Sequence, residues 1–294
     1  MKHRARPRSP LHHRQVNIDG LSIHVVEGGT AVKPTVLFLH GWPQSWAAFE
    51  RVMIPLSKKA RVVAVDLPGI GESQTPPSSN TKCRLAKYMR ALVRELELHA
   101  VTLVGHDIGG QIAYAFLRMY PAELDRVVLM NIAIPGIEPW SEVVRNRYIW
   151  HFGFHAVPDL PEALVRGKEA TYFRYFYDRL SAKPGVIDAK AQRAYVKAYS
   201  RPEALHIGFE WYRAFPQDEK DNLRAKDDVV HTPVLYLRGE KDSGLPIEQY
   251  VLGLREAGLR NVSGQVIPNS GHFIADEQPR RLLSALRGFV GLAD

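Results

Sequence analysis

Val104-Gly105-His106-Asp107-Ile108-Gly109-Gly110 is the stretch on which the fold turns. It follows an apolar run at 101–104, read as a short buried strand, and precedes 111–119, read as a helix. Glycines on both sides of Asp107 let strand and helix approach closely and hold the acidic residue in a strained turn. Aspartate at that place is also a natural helix N-cap. By itself, G-x-D-x-G leaves both readings open.

Outward from this junction the chain repeats one theme, a short β-rich run followed by an amphipathic stretch, as in an α/β sheet. Strands are predicted at 21–27, 35–39, 61–65, 126–130, 234–237 and 262–267. Leu85, Met89, Leu92, Val93 and Leu96 share one helical face, and Leu282, Leu283, Leu286, Phe289 and Val290 form another. Between about 135 and 229 the alternation stops. This helical stretch holds 16 of the 28 aromatics, so it reads as an inserted lid whose rings form a core and line an apolar ligand pocket. The predicted organisation is a tail at 1–14, a core at 15–134 and 230–294, and a lid at 135–229.

Three further motifs stand in order around the aspartate: His40-Gly41-Trp42-Pro43, Asp66-Leu67-Pro68-Gly69-Ile70-Gly71-Glu72-Ser73 and Ser270-Gly271-His272-Phe273. Together with the elbow they resemble the α/β-hydrolase superfamily over nearly the whole chain after its first residues. The resemblance implies a mostly parallel eight-stranded sheet flanked by helices, with an inserted helical lid. It also implies that Asp107 is the nucleophile, that His272 is the base, and that a carboxylate orients the base. Asp242 matches the usual acid position, with Glu240 the alternative; the other place used for this acid in the superfamily holds Asn131, which carries no charge. The backbone N–H groups of Trp42 and Ile108 are the expected oxyanion donors, and a cis bond before Pro43 is common in the family.

A carboxylate is already ionised at neutral pH and attacks an sp³ carbon directly, leaving the histidine to activate water. That chemistry suits epoxides and alkyl halides, and the leaving group separates them. In the lid, Glu210-Trp211-Tyr212-Arg213 looks like the tyrosine motif of epoxide hydrolases, and Tyr148-Ile149-Trp150-His151-Phe152 resembles the Cif-type bacterial enzymes with a histidine–tyrosine pair. His151 and Tyr212 are therefore the expected ring-opening pair, with His155 on the same helical face as His151. The alternative is a haloalkane or haloacid dehalogenase. Ile108 stands where haloalkane dehalogenases typically have tryptophan, and Ile108 and Gln111 supply none of the charge that binds a haloacid carboxylate. A second alternative is a ligand-binding protein of this fold without catalysis.

The bulk properties exclude more than they identify. The net charge of +8 owes +5 to Lys2, Arg4, Arg6, Arg8 and Arg14, so a short basic tail rather than a nucleic-acid surface explains it. One cysteine, Cys83, precludes an internal disulfide and fits a reducing compartment, the cytoplasm being expected. No apolar run is long enough to span a bilayer, and no phosphate loop, Cys/His cluster or dinucleotide fingerprint implies a metal or cofactor. The expected partners are a small apolar epoxide and water, without nucleic acid or membrane; a homodimer is left open.

Overall fold

Eight strands form one sheet: β1 (His12–Ile18), β2 (Leu21–Gly28), β3 (Thr35–Leu39), β4 (Arg61–Val65), β5 (Val101–His106), β6 (Arg126–Met130), β7 (Val234–Gly239) and β8 (Val262–Ile267). The computed structural model describes residues 10–30, 34–77 and 80–292. The strand order is β1-β2-β4-β3-β5-β6-β7-β8. Strand β2 runs antiparallel to both neighbours, and every pairing from β4 to β8 is parallel. The central strands are buried on both faces, which is why their sequences read as unbroken apolar runs.

From β3 the chain steps outward to β4 and then returns to β5 on the other side of β3. Such a reversal opens a crevice at the carboxyl ends of the two strands, where open α/β sheets bind ligands. His40-Gly41-Trp42 leaves the end of β3 and Asp107 the end of β5, so topology alone brings the two motifs together.

From Trp140 to Ala225, between β6 and β7, the described chain is helical. Phe173, Phe176, Tyr177, Tyr195, Tyr199, Phe209 and Trp211 are buried there. Most of the aromatic excess is thus core, and a minority of the rings face a cavity. Lys82, in the first turn of helix Lys82–Glu95, ties the insert to the sheet layer. Its Nζ lies 2.8 Å from Asp218 Oδ2, also donates to the Trp211 carbonyl, and sits over the Phe215 ring. Desolvation of such a buried pair offsets much of its attraction, whereas either charge alone would cost about 3–5 kcal/mol. The two residues therefore stand or fall together.

The structure departs from the sequence expectation at the first strand. The tail was expected to extend to residue 14, yet β1 begins at His12 and pairs along its length with β2. In His-His-Arg-Gln-Val-Asn-Ile only Val16 and Ile18 are buried, because an edge strand with one wet face carries no apolar run. Residues 1–9 of the expected tail lie outside the described residues. Strand β5 likewise extends past its apolar run, with Gly105 pairing with Leu39 and His106 with Met130. Among the described residues no helix is long and apolar enough to cross a membrane.

Candidate active site

Asp107 occupies a tight elbow between β5 and helix Ile108–Met119, with φ 50° and ψ −122°. A non-glycine residue in this region is strained and persists only where its surroundings demand it. The surroundings are close: a Cβ on Gly109 would lie 2.3 Å from the Leu39 carbonyl, and one on Gly41 would lie 2.3 Å from the Asp107 Cβ. The side chain of Asp107 makes no capping bond to its helix. Instead its Oδ1 accepts from the Trp42 N–H at 2.8 Å, and the neighbouring Ile108 N–H also favours the charged carboxylate. The bond before Pro43 is cis. Burial pushes the Asp107 carboxyl up, against the opposing pull of His272, the two N–H donors and Lys82.

His272 comes from the loop after β8. Its Nε2 is 3.8 Å from Asp107 Oδ2 and its Nδ1 is 3.5 Å from Asp242 Oδ1. Burial would lower its pKa, but the hydrogen bond and charge of Asp242, with the charge of Asp107, hold it above the ordinary histidine value. Asp242 is held in turn by Arg238, whose Nη1 is 3.2 Å from Asp242 Oδ2 and whose guanidinium stacks on Tyr250. Glu240 faces elsewhere: it accepts from the Asn269 N–H and pairs with Lys241. Geometry thus puts Asp242, and not Glu240, beside His272. Asn131, at the alternative acid position, donates to the Gly271 and His272 carbonyls and accepts from the Gly239 N–H, fastening the base loop to β7.

A cavity of about 440 Å³ opens over Asp107, and Trp42, Ile108, His151, Tyr212 and His272 line it. His151 comes from helix Trp150–Ala156 and Tyr212 from helix Pro202–Arg213, their ring centroids 5.9 Å apart. Burial pushes His151 down to about 3, with His272 adding to the effect, so it is a neutral imidazole at neutral pH. Burial, then the charge of Asp107, pushes Tyr212 well above the usual phenol range, so it keeps its proton. Both are donors. His155 is fully buried, bonds through Nε2 to the Tyr172 hydroxyl at 2.7 Å and lies behind Trp42 rather than on the cavity wall. The residues gathered here can therefore present a carboxylate, a base backed by an acid, and two donors to one apolar ligand. Lys82 and Glu277, which brace this arrangement, left no signal in the sequence. Lys82 meets Asp218 and the Trp211 carbonyl far along the chain, and Glu277 accepts from the Gly271 and Phe273 backbone N–H groups. Arg238, only four residues from Asp242, lies in a stretch where the sequence points to the acids alone.

The family described as the alpha/beta hydrolase fold matches residues 34–279. A soluble epoxide hydrolase of Corynebacterium sp. (strain C12) is 31% identical over 95% of this chain and 98% of its own length. A fluoroacetate dehalogenase of Burkholderia sp. is 30% identical over 94% of this chain and 93% of that protein. Among solved structures, wild-type Cfl2 from Burkholderia cenocepacia superposes with a TM-score of 0.88 at 34% identity, covering 98% of both chains.

Proposed function

We propose a two-step covalent hydrolysis of epoxides for this chain, which belongs to the α/β-hydrolase fold family and, within it, to the epoxide hydrolases. The observation that carries the mechanism is the grip on Asp107: Oδ1 is held by the Trp42 N–H while Oδ2 faces His272. In the first step an Asp107 oxygen attacks an epoxide carbon. The carbon–oxygen bond breaks and the leaving oxygen takes the Tyr212 proton, steadied by the His151 N–H. In the second step His272 takes a proton from water, and the resulting hydroxide attacks the ester carbonyl carbon of Asp107. The oxyanion that forms is stabilised by the Trp42 and Ile108 N–H groups. Collapse releases the diol and restores the carboxylate. Asp242 orients His272 and stabilises its charged form, and the tyrosinate regains its proton from His272 or solvent.

A single turnover of styrene oxide in ¹⁸O-water tests the covalent route. The new diol oxygen is expected to come from Asp107, leaving one label in that carboxylate; label in the first-turnover diol would exclude the ester. Tyr212→Phe is expected to slow ester formation about 10²-fold while leaving ester decay little changed. Rapid-quench rates for both steps check this, and equal slowing of both would remove Tyr212 from the ring-opening role.

Dehalogenation is the second reading. The likeness to the fluoroacetate dehalogenase favours it, as does the Trp42 Nε1–H, which has no hydrogen-bond acceptor among the described residues. Against it, Ile108 and Gln111 beside the nucleophile are uncharged, and the two arginines that line the cavity are engaged elsewhere, Arg238 with Asp242 and the exposed Arg145 with Glu142. Halide release from bromoalkanes and haloacetates, run beside the epoxide assay, ranks the two.

A further inference from the structure

Behind the base lies a buried polar chain that neither step of the reaction uses. His106, the residue before the nucleophile, points away from the cavity. Its Nε2 is 2.8 Å from the His272 carbonyl and its Nδ1 is 3.0 Å from Gln44 Oε1. The Gln44 amide nitrogen is 2.8 Å from Asp276 Oδ2, and the Tyr195 hydroxyl donates to both Asp276 oxygens at 2.9 and 2.8 Å. His106, Gln44, Asp276 and Tyr195 are all buried. The chain therefore joins the loop after β3, the strand bearing the nucleophile and the loop bearing the base.

Its hydrogens can be arranged in two ways. A carbonyl only accepts, so His106 Nε2 must carry hydrogen in both. With Gln44 Oε1 toward His106, Nδ1 must carry one too; His106 is then a cation and Asp276 an anion. With the Gln44 amide turned by half a rotation, its N–H donates to a bare Nδ1 and its oxygen accepts from a protonated Asp276. The two arrangements differ by one proton moved between Asp276 and His106.

We infer that Asp276 is a positioning residue of ester hydrolysis: as a carboxylic acid it orients the Gln44 amide, which fixes His106 as the donor holding the His272 carbonyl. The inference rests on the reading of His272 as the base that hydrolyses an Asp107 ester.

The surroundings favour the neutral arrangement. Burial is the main influence on Asp276 and pushes it up to about 7, while Arg51 and Asp188 act in opposite directions from outside and Tyr195 and Gln44 lower it. The phenols of Tyr177 and Tyr195 face it from the insert, and both stay protonated. Burial, then the neighbouring His272 and His40, pushes His106 well below the ordinary histidine value, so His106 resists the extra proton. Glu277, the next residue, serves the Gly271 and Phe273 N–H groups on either side of His272. As pH rises through about 7, Asp276 loses its proton and draws the amide N–H to itself. The amide oxygen then opposes the bare Nδ1, and the His106 link to the base loop slackens.

The test is the decay of the preformed Asp107 ester against pH in single-turnover mixing. Wild-type decay should rise as His272 deprotonates and then fall on the alkaline side. Asp276→Leu should lose about tenfold or more in decay rate with ester formation intact, the cost of a displaced base. Asp276→Asn should rescue the rate and abolish the alkaline fall, since its amide replaces the acid O–H and cannot titrate. An asparagine variant that keeps the alkaline fall, or decays as slowly as the leucine variant, overturns the inference. Infrared spectra in an Asp107→Asn background add a readout that needs no ester. A buried carboxylic-acid band should vanish as pH is raised through about 7 and be missing when Asp276 is also Asn. No such band in the Asp107→Asn protein overturns the inference whatever happens to the covalent mechanism.

Discussion

His272→Gln is expected to trap the alkyl ester on Asp107, slowing its decay by about 10²–10⁴-fold, the usual worth of a general base. Glutamine fills similar space and can still hydrogen-bond, but it cannot accept a proton from water. Ester formation needs no base, so one equivalent of epoxide should be consumed quickly and then turnover should stop. Intact-protein mass spectrometry reads the outcome as an added mass equal to the epoxide. Steady turnover, or no adduct, would remove His272 from the hydrolytic step. The wild-type enzyme should show the matching pH dependence. Asp242, aided by Asp107, holds the His272 pKa up, so ester decay should fall on the acid side, where the imidazole is already protonated. Alkylation neutralises Asp107 and removes one of the charges that raise His272. The base is thus released toward its neutral form as the ester appears.

Asp107→Ala is expected to reduce diol formation by about 10⁴-fold or more, since no other group at the elbow can form the ester. Adding His272→Gln to this variant should cost little further, because residues that act as a unit are not additive. Steady-state rates of the two single variants and the double variant check this. Diol formation that survives in Asp107→Ala would point to direct attack by water. A wild-type protein that binds epoxides reversibly without forming diol would instead favour the non-catalytic reading.

What the sequence disclosed follows from how each feature is encoded. The parallel strands, buried on both faces, announce themselves as apolar runs such as Thr35–Leu39, and the elbow announces itself through glycines that a side chain would push apart. Strand β1 did not, because an edge strand carrying two histidines and an arginine has no apolar stretch to read. The groups proposed to react sit in local motifs, where the sequence could single them out. Their supports could not: Gln44 meets Asp276 across 232 positions, Lys82 meets Trp211 across 129, and Asn131 acts on backbone carbonyls. Such pairings exist only after folding and leave no local pattern. The preference for Asp242 over Glu240 comes from the match to the family's acid position, and the fold adds a physical reason: Arg238 holds Asp242 beside His272, while Glu240 turns to Asn269 and Lys241.

The Trp42 N–H on Oδ1 makes the two oxygens of Asp107 unequal. If that grip lasts through both steps, the anchored oxygen is a permanent fixture of the enzyme. The other departs with each diol and is replaced from water in the next instant. The protein then serves as its own reagent, surrendering one atom per cycle and restoring it from solvent. Prolonged turnover in ¹⁸O-water should accordingly saturate at a single label in the Asp107 peptide, and a second label would reveal a carboxylate that turns over between cycles.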